Sequence, residues 1–248
     1  MRSCGTGGFS SVEVVKDSSG ELYALKRIQR SRNFKEAMDQ MRYVTMELEV
    51  IKKIRYRNPH FISFVCGYTE EYHIGIIMQP VADFDMGKFL DSFWIRKIVN
   101  DDELLAGFFG CLATALAYLH FECKIRHKDI KPTNILIKGR NVMLADFGMS
   151  LDWSPAGHTT TAQEQQISPI YCSPEAGDKK PRNTPTDIWS LGCVFLEMVT
   201  VLKGEKRSYV EDILKSHGPV SYRNNTKGIA EVIENLRKKE SLCGNAPL

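Results

Sequence analysis

The chain has 248 residues, 43% hydrophobic and 25% charged, with a formal charge of +3 from 33 basic and 30 acidic side chains. This composition excludes a disordered chain, and so slight a charge excess argues against nucleic acid or an anionic membrane surface as partner. Seven cysteines, spread singly from Cys4 to Cys243 without paired spacing, argue against a disulfide framework or a zinc site and point to a reducing compartment, cytoplasmic or nuclear.

The opening MRSCGTGGFS lacks the apolar stretch of a signal peptide, and its glycines suggest a functional loop. Alternating residues in SVEVVKD, the turn signal SSG and the run ELYALKRIQ predict a β-hairpin over residues 11–29. From Asn33 to Arg55 the pattern becomes a charged helix, with Ala37, Met41, Val44, Leu48 and Ile51 at three- and four-residue steps. Two strand-like runs follow, FISFVCGY and YHIGIIMQP. Beyond Asp85 helical patterns dominate, around residues 101–121 and 186–201, separated by a loop-rich stretch from 148 to 185. Within it, HTTTAQEQQ, residues 158–166, reads as a polar surface segment. The near-apolar runs Phe108 to Phe121 and Ile188 to Leu202 fall short of the roughly 18 residues that cross a bilayer, and the second contains Glu197; both are expected to be buried helices. The expected fold class is therefore α+β: a sheet-rich N-terminal lobe, residues 1–80, and a larger, mainly helical lobe, residues 81–248.

Gly5, Gly7 and Ser10 stand at the glycine positions of a G-x-G-x-x-G-x-V loop completed by Val12. Glycine lets backbone amides approach phosphate oxygens, although an ordinary turn accounts for this motif equally well by itself. Lys26 follows Ala24 and Leu25 on the next strand, where alternation would point it into a cleft beneath the loop. Glu47, 21 residues on, can pair with Lys26 and hold it against nucleotide phosphates; Glu49 competes, but Glu47 precedes Ile51 by one turn and shares the inward face. In HKDIKPTNIL, residues 127–136, Asp129 can accept a hydroxyl proton, Lys131 can neutralise a transferring phosphoryl group and Asn134 can offer an amide oxygen to magnesium. Asp146, in Asp146-Phe147-Gly148, is a second hard oxygen ligand, returned to the same place by a hairpin of ILIK and NVMLA. Each residue alone has an ordinary structural reading as a turn, cap or core residue, but the order of all of them argues for a site.

In that motif order the chain resembles the eukaryotic protein kinase family over nearly its whole length, with Ser173-Pro174-Glu175 closing the activation segment and Asp187 opening a long buried helix. The resemblance implies a two-lobed kinase fold and transfer of the γ-phosphoryl group of ATP, with Mg2+, to protein substrates. It makes Met78 the gatekeeper, Gln79 to Val81 the hinge, Val12, Ala24 and Leu136 the adenine sandwich, and His127, Phe147, Ile51 and Phe64 a regulatory spine. Lys131 within DIKPTN, Ser168 and Tyr171 match the serine/threonine branch.

Three departures accompany it. The third loop glycine is Ser10, and Lys128 stands where an arginine usually precedes the base, which weakens any bidentate hold on an activation-loop phosphate. Glu164 and Lys128 are expected to form a standing charge pair, with Thr159, Thr160 and Thr161 as tuning sites. The chain also reads as clipped, its first strand short and the usual cation partner of Glu175 missing, so that Glu175 is expected to be partly buried and unpaired. Two alternatives to an active protein kinase stay open: a pseudokinase scaffold that binds nucleotide or partners, and a small-molecule kinase sharing the base-and-magnesium logic.

Overall fold

The computed structural model describes residues 10–54, 58–96, 101–152, 168–177 and 184–239, and the backbone of 3–7. The expected hairpin forms from β2 (Ser10–Lys16) and β3 (Leu22–Gln29). Its turn is closed by Asp17, whose Oδ1 accepts from Ser19 N and Glu21 N at 2.9 Å each, while Gly20 takes φ +95°, which glycine adopts without steric cost. The hairpin joins β1 (Ser3–Gly7), β4 (Ser63–Thr69) and β5 (His73–Gln79) in an antiparallel sheet of order β1-β2-β3-β5-β4. The glycine-rich opening is thus an edge strand as well as a loop, pairing Gly5 with Val12 and Gly7 with Ser10.

Cross-strand register places Val12, Lys26 and Ile76 in one row and Val14, Ala24 and Met78 in the next, all on one face. Helix α1 (Phe34–Lys53) packs on this face, burying Val44 against Ile74 and Ile76. Asn33 caps it by accepting from Lys35 N and Glu36 N, and Lys52 and Lys53 complement the negative end of its dipole. The helix stops at Lys53, two residues before the expected Arg55.

FISFVCGY is not one strand. Phe61 leaves the sheet to bridge Leu144, with Ile62 N donating to Leu144 O at 3.3 Å and Leu144 N to His60 O at 2.9 Å. This seam ties the small lobe to the larger one.

The larger lobe contains β6 (Phe84–Asp85), α2 (Met86–Arg96), α3 (Asp101–Ala117), β7 (Ile125–Arg126), β8 (Ile135–Lys138), β9 (Asn141–Leu144), β10 (Leu151–Asp152), α4 (Pro174–Gly177), α5 (Thr184–Leu202), α6 (Ser208–His217) and α7 (Thr226–Arg237). A π-helical turn, Tyr118–Glu122, extends α3. Strands β6, β8 and β9 form a small sheet in that order, and β10 pairs with β7. The ILIK and NVMLA hairpin is β8 and β9, with Gly139 at φ +57° in its turn. The segments Asp101–Glu122 and Thr184–Leu202, 22 and 19 residues long, are by length and composition long enough to cross a bilayer, a correction to the shorter apolar runs counted in the sequence. Small residues and isolated acids extend those runs once the chain is helical. Leu105, Phe108 and Leu112 of α3 and Val194, Met198 and Val201 of α5 bury into one core with α2, β8 and β9. Each such side chain contributes about 1.5–3 kcal/mol relative to exposure.

Candidate active site

Lys26 projects from β3 and meets Glu47, the acid expected of it, and also Asp146, which was expected only as a metal ligand. Its Nζ lies 2.8 Å from Glu47 Oε1 and 3.1 Å from Oε2, and 2.9 Å from Asp146 Oδ1. Glu47 is buried on α1 whereas Glu49 is exposed, so the inward-face argument chose the right acid. Burial alone would favour a neutral Lys26, but the Glu47 and Asp146 charges outweigh it and hold the ammonium above the ordinary lysine range. Burial likewise opposes ionisation of Asp146, yet Lys26 beside it keeps that carboxyl below its usual value. Asp146 sits at φ +63°, the left-handed region that costs a non-glycine residue about 1–2 kcal/mol.

The second cluster grows from the loop before β8. Lys131 Nζ donates to Asp129 Oδ2 at 2.8 Å, Ser168 Oγ donates to Asp129 Oδ1 at 2.7 Å, and Lys131 also reaches Ser168 Oγ at 3.0 Å. Asn134 Nδ2 donates to Asp129 O at 2.8 Å and Oδ2 at 3.0 Å, which leaves Asn134 Oδ1 as the acceptor end of its amide. Ala145 N donates to Asn134 O at 2.9 Å, so the β8–β9 hairpin delivers Asp146 directly beside this cluster.

Below it lies an anchor whose chemistry the sequence only hinted at. Asp187, 1% exposed at the start of α5, accepts from His127 N at 2.8 Å, Lys128 N at 2.7 Å and the His120 ring Nε2 at 2.8 Å. It thereby stabilises Lys128 at φ +70°, next to Asp129. Of the expected spine, the His127 ring lies 5.0 Å from Phe147, Phe147 and Ile51 belong to the main core, and Phe64 packs against that core. Lys53 Nζ bonds Asp152 Oδ2 at 2.6 Å and so joins α1 to β10.

The adenine-site candidates are distributed as follows. Ala24 pairs directly with Met78, Val12 pairs with Lys26, Leu136 of β8 packs against the main core, and Gln79 and Val81 are half-buried at the exit of β5. A separate cavity of about 700 Å³ between α5 and α7 includes none of these residues. Glu164, Thr159, Thr160 and Thr161 lie outside the described residues, and the proposed Glu164–Lys128 pair with them. Glu175 is half-buried and accepts from the neutral Thr186 Oγ1 at 3.2 Å.

The protein kinase domain family matches residues 1–227. The chain belongs to that family. Among curated proteins, this kinase domain is 26% identical to human serine/threonine-protein kinase Nek10 over 204 residues, 79% of this chain and 17% of that protein. It is 28% identical to human 3-phosphoinositide-dependent protein kinase 1 over 201 residues, 80% of the chain and 34% of the relative. With MAP kinase kinase kinase wis4 of Schizosaccharomyces pombe it shares 32% identity over 199 residues, 75% of the chain and 14% of the relative. The chain thus spans only 14% to 34% of these relatives.

One buried group of the kinase domain escaped functional notice in the sequence, although an acid inside an apolar helical run was the available signal. Glu197 of α5, 4% exposed, accepts at Oε1 from Tyr171 Oη at 2.7 Å and Tyr222 Oη at 2.9 Å. Arg207 Nη1 approaches Oε2 at 3.4 Å, and the same guanidinium forks onto Asp91 at 2.8 and 3.0 Å. Burial pushes the Glu197 carboxyl above its ordinary value near 4.5, against the pull of Tyr171, Arg207 and Tyr222. A raised native pKa means that the stabilising contribution is complete below the ordinary value and lost as pH rises through the native one. Urea unfolding from about pH 5 to about pH 8 should therefore show wild type losing stability relative to Glu197→Gln. Parallel pH profiles would contradict this.

Proposed function

We propose that this kinase domain is catalytically active and transfers the γ-phosphoryl group of ATP to serine or threonine hydroxyls of protein substrates. The observation that carries this reading is the closed triangle of Asp129, Lys131 and Ser168, set beside the Lys26–Glu47–Asp146 ion pairs. Asp129 already accepts a hydroxyl hydrogen bond from Ser168 at 2.7 Å, so it can orient a substrate hydroxyl and take its proton. Lys131 offsets charge on the transferring group, and Lys26, fixed by Glu47, holds the α- and β-phosphates. Gly5 and Gly7 bring β1 backbone close to the phosphates. Val12, Ala24 and Leu136 enclose adenine, with Met78 behind it and Gln79 to Val81 supplying its hydrogen bonds.

Asp146 and Asn134 fit Mg2+ by donor chemistry: a carboxylate and an amide oxygen are hard ligands, and Asn134 has its N–H group turned away onto Asp129. Magnesium, when bound, supplies charge neutralisation at the phosphates. The whole span 1–248 is read as one such domain, lobes meeting at residues 80 and 81. An intracellular setting belongs to the same proposal and rests on the unpaired cysteine spacing.

The test is γ-phosphate transfer from labelled ATP to a degenerate peptide library with central serine or threonine. Asp129→Asn should lower the rate by about 10²–10⁴-fold, the range for a positioned general base, while nucleotide affinity stays at the wild-type level. A wild-type domain that binds nucleotide but transfers nothing would overturn the reading in favour of a scaffold. Transfer to small alcohols but not to peptides would favour a small-molecule kinase.

A further inference from the structure

The strip that carries Ser168 is gripped from below along three consecutive residues. Ser221 Oγ donates to Pro169 O at 3.3 Å, Tyr222 N donates to Ile170 O at 3.1 Å, and Ser190 Oγ donates to Tyr171 O at 3.0 Å. The side chains repeat the pattern, since Tyr171 and Tyr222 hydroxyls converge on Glu197 Oε1 and their rings lie 5.6 Å apart. Two of the three backbone grips, and one of the two hydroxyls, come from the connection between α6 and α7. That connection is itself rigid. Asn225, 3% exposed, donates from Nδ2 to Leu214 O at 2.5 Å, accepts at Oδ1 from Gly228 N at 3.3 Å, and caps α7. Ser221 and Tyr222 are 6% and 2% exposed, too buried to meet a substrate directly.

We propose that Ser221 and Tyr222, on the α6–α7 connection, are positioning residues for peptide substrates: they hold Pro169 to Tyr171 in place and thereby keep Ser168 on Asp129. The inference rests on the reading above, in which a substrate hydroxyl is received beside that pair. The physical basis is order. A loop residue left free samples many backbone states, whereas a strip with its successive carbonyls bound presents one geometry to an incoming peptide. Lys26 and Glu47 lie on β3 and α1, so the nucleotide half of the site does not depend on this clamp.

Ser221→Ala removes the hydroxyl on Pro169 O and Tyr222→Phe the hydroxyl that meets Tyr171 on Glu197, while the Tyr222 N–Ile170 O bond stays; the two are compared singly and together with wild type. For the best-phosphorylated member of the peptide library, the double variant should raise the peptide KM about tenfold, the worth of one hydrogen bond to a charged group, with the KM for ATP unchanged. Hydrogen exchange should quicken in fragments covering 168–173 and 219–225 while the five-stranded sheet keeps its protection. Equal changes in both KM values, or no change in either, would overturn the proposal. The exchange measurement needs no turnover: if wild type transfers no phosphate, the functional reading fails alone, and unchanged protection at 168–173 then removes the clamp as well.

Discussion

Asp146→Asn and Lys26→Met should each lower phosphoryl transfer by at least about 10²–10³-fold, the loss seen when one preorganised electrostatic contact is removed from a reacting centre. The two should differ in stability. Asparagine keeps the shape of Asp146 and can still accept from Lys26 through its amide oxygen, so the 2.9 Å contact has a neutral substitute. The melting temperature should stay close to wild type. Methionine fills the volume of Lys26 but leaves Glu47, 5% exposed, as a buried carboxylate without its ammonium. Such a group either takes up a proton or destabilises the fold, and opening a buried pair from one side costs about 3–5 kcal/mol where both members are fully desolvated. With Lys26 itself 15% exposed, the loss should fall at or below the lower end of that range. Wild-type activity in either variant would remove the residue from the proposed machinery. A larger melting shift for Asp146→Asn than for Lys26→Met would contradict the energetic argument.

Asp187→Ala should be the most damaging substitution outside the site. Alanine would remove the carboxylate that the buried His127 amide, the partly buried Lys128 amide and the buried His120 ring share. Each unsatisfied buried group costs about 1–3 kcal/mol, so a total of at least about 3 kcal/mol is expected. For a domain of this size that corresponds to a drop of at least roughly 6 °C in melting temperature. Transfer should fall in parallel, because Lys128, held at φ +70°, immediately precedes Asp129. Thermal unfolding of the variant checks the claim; a shift of a degree or two would mean that the loop is held by something other than Asp187.

The site was legible in the sequence because its chemistry is carried by residue types at fixed positions along short segments. Lys26, Glu47, Asp129, Lys131, Asn134 and Asp146 could each be named from spacing and face, and the structure brings Lys26 onto two acids and Asp129 onto three donors. What escaped were partnerships between distant segments with no local signature. Nothing near Tyr222 marks it as a partner of Tyr171, 51 positions earlier, because a tyrosine followed by a charged turn reads as an ordinary surface residue. The fold shows the same division. Period-two alternation found β2 and β3, but it carried the fourth strand through Phe61 and Ile62, whose apolar character serves the seam with Leu144 and not the sheet. Helix α2 was passed over although Met86, Phe89, Leu90 and Phe93 repeat at helical steps, since its 11 residues follow directly on a strand-like stretch.

The single ammonium of Lys26 joins three rigid pieces, and its two bonds answer to different motions. Glu47 rides on α1 above the His60–Leu144 seam, in the same lobe as Lys26, so tilting the lobes as whole bodies leaves that bond at its length. Asp146 belongs to the opposite side, and an opening of one or two ångströms there suffices to part the 2.9 Å contact. An outward swing of α1 would do the reverse. The pair of distances therefore works as a two-dial gauge: Lys26–Glu47 reads helix rotation and Lys26–Asp146 reads cleft aperture, with both dials here at the closed end of the scale.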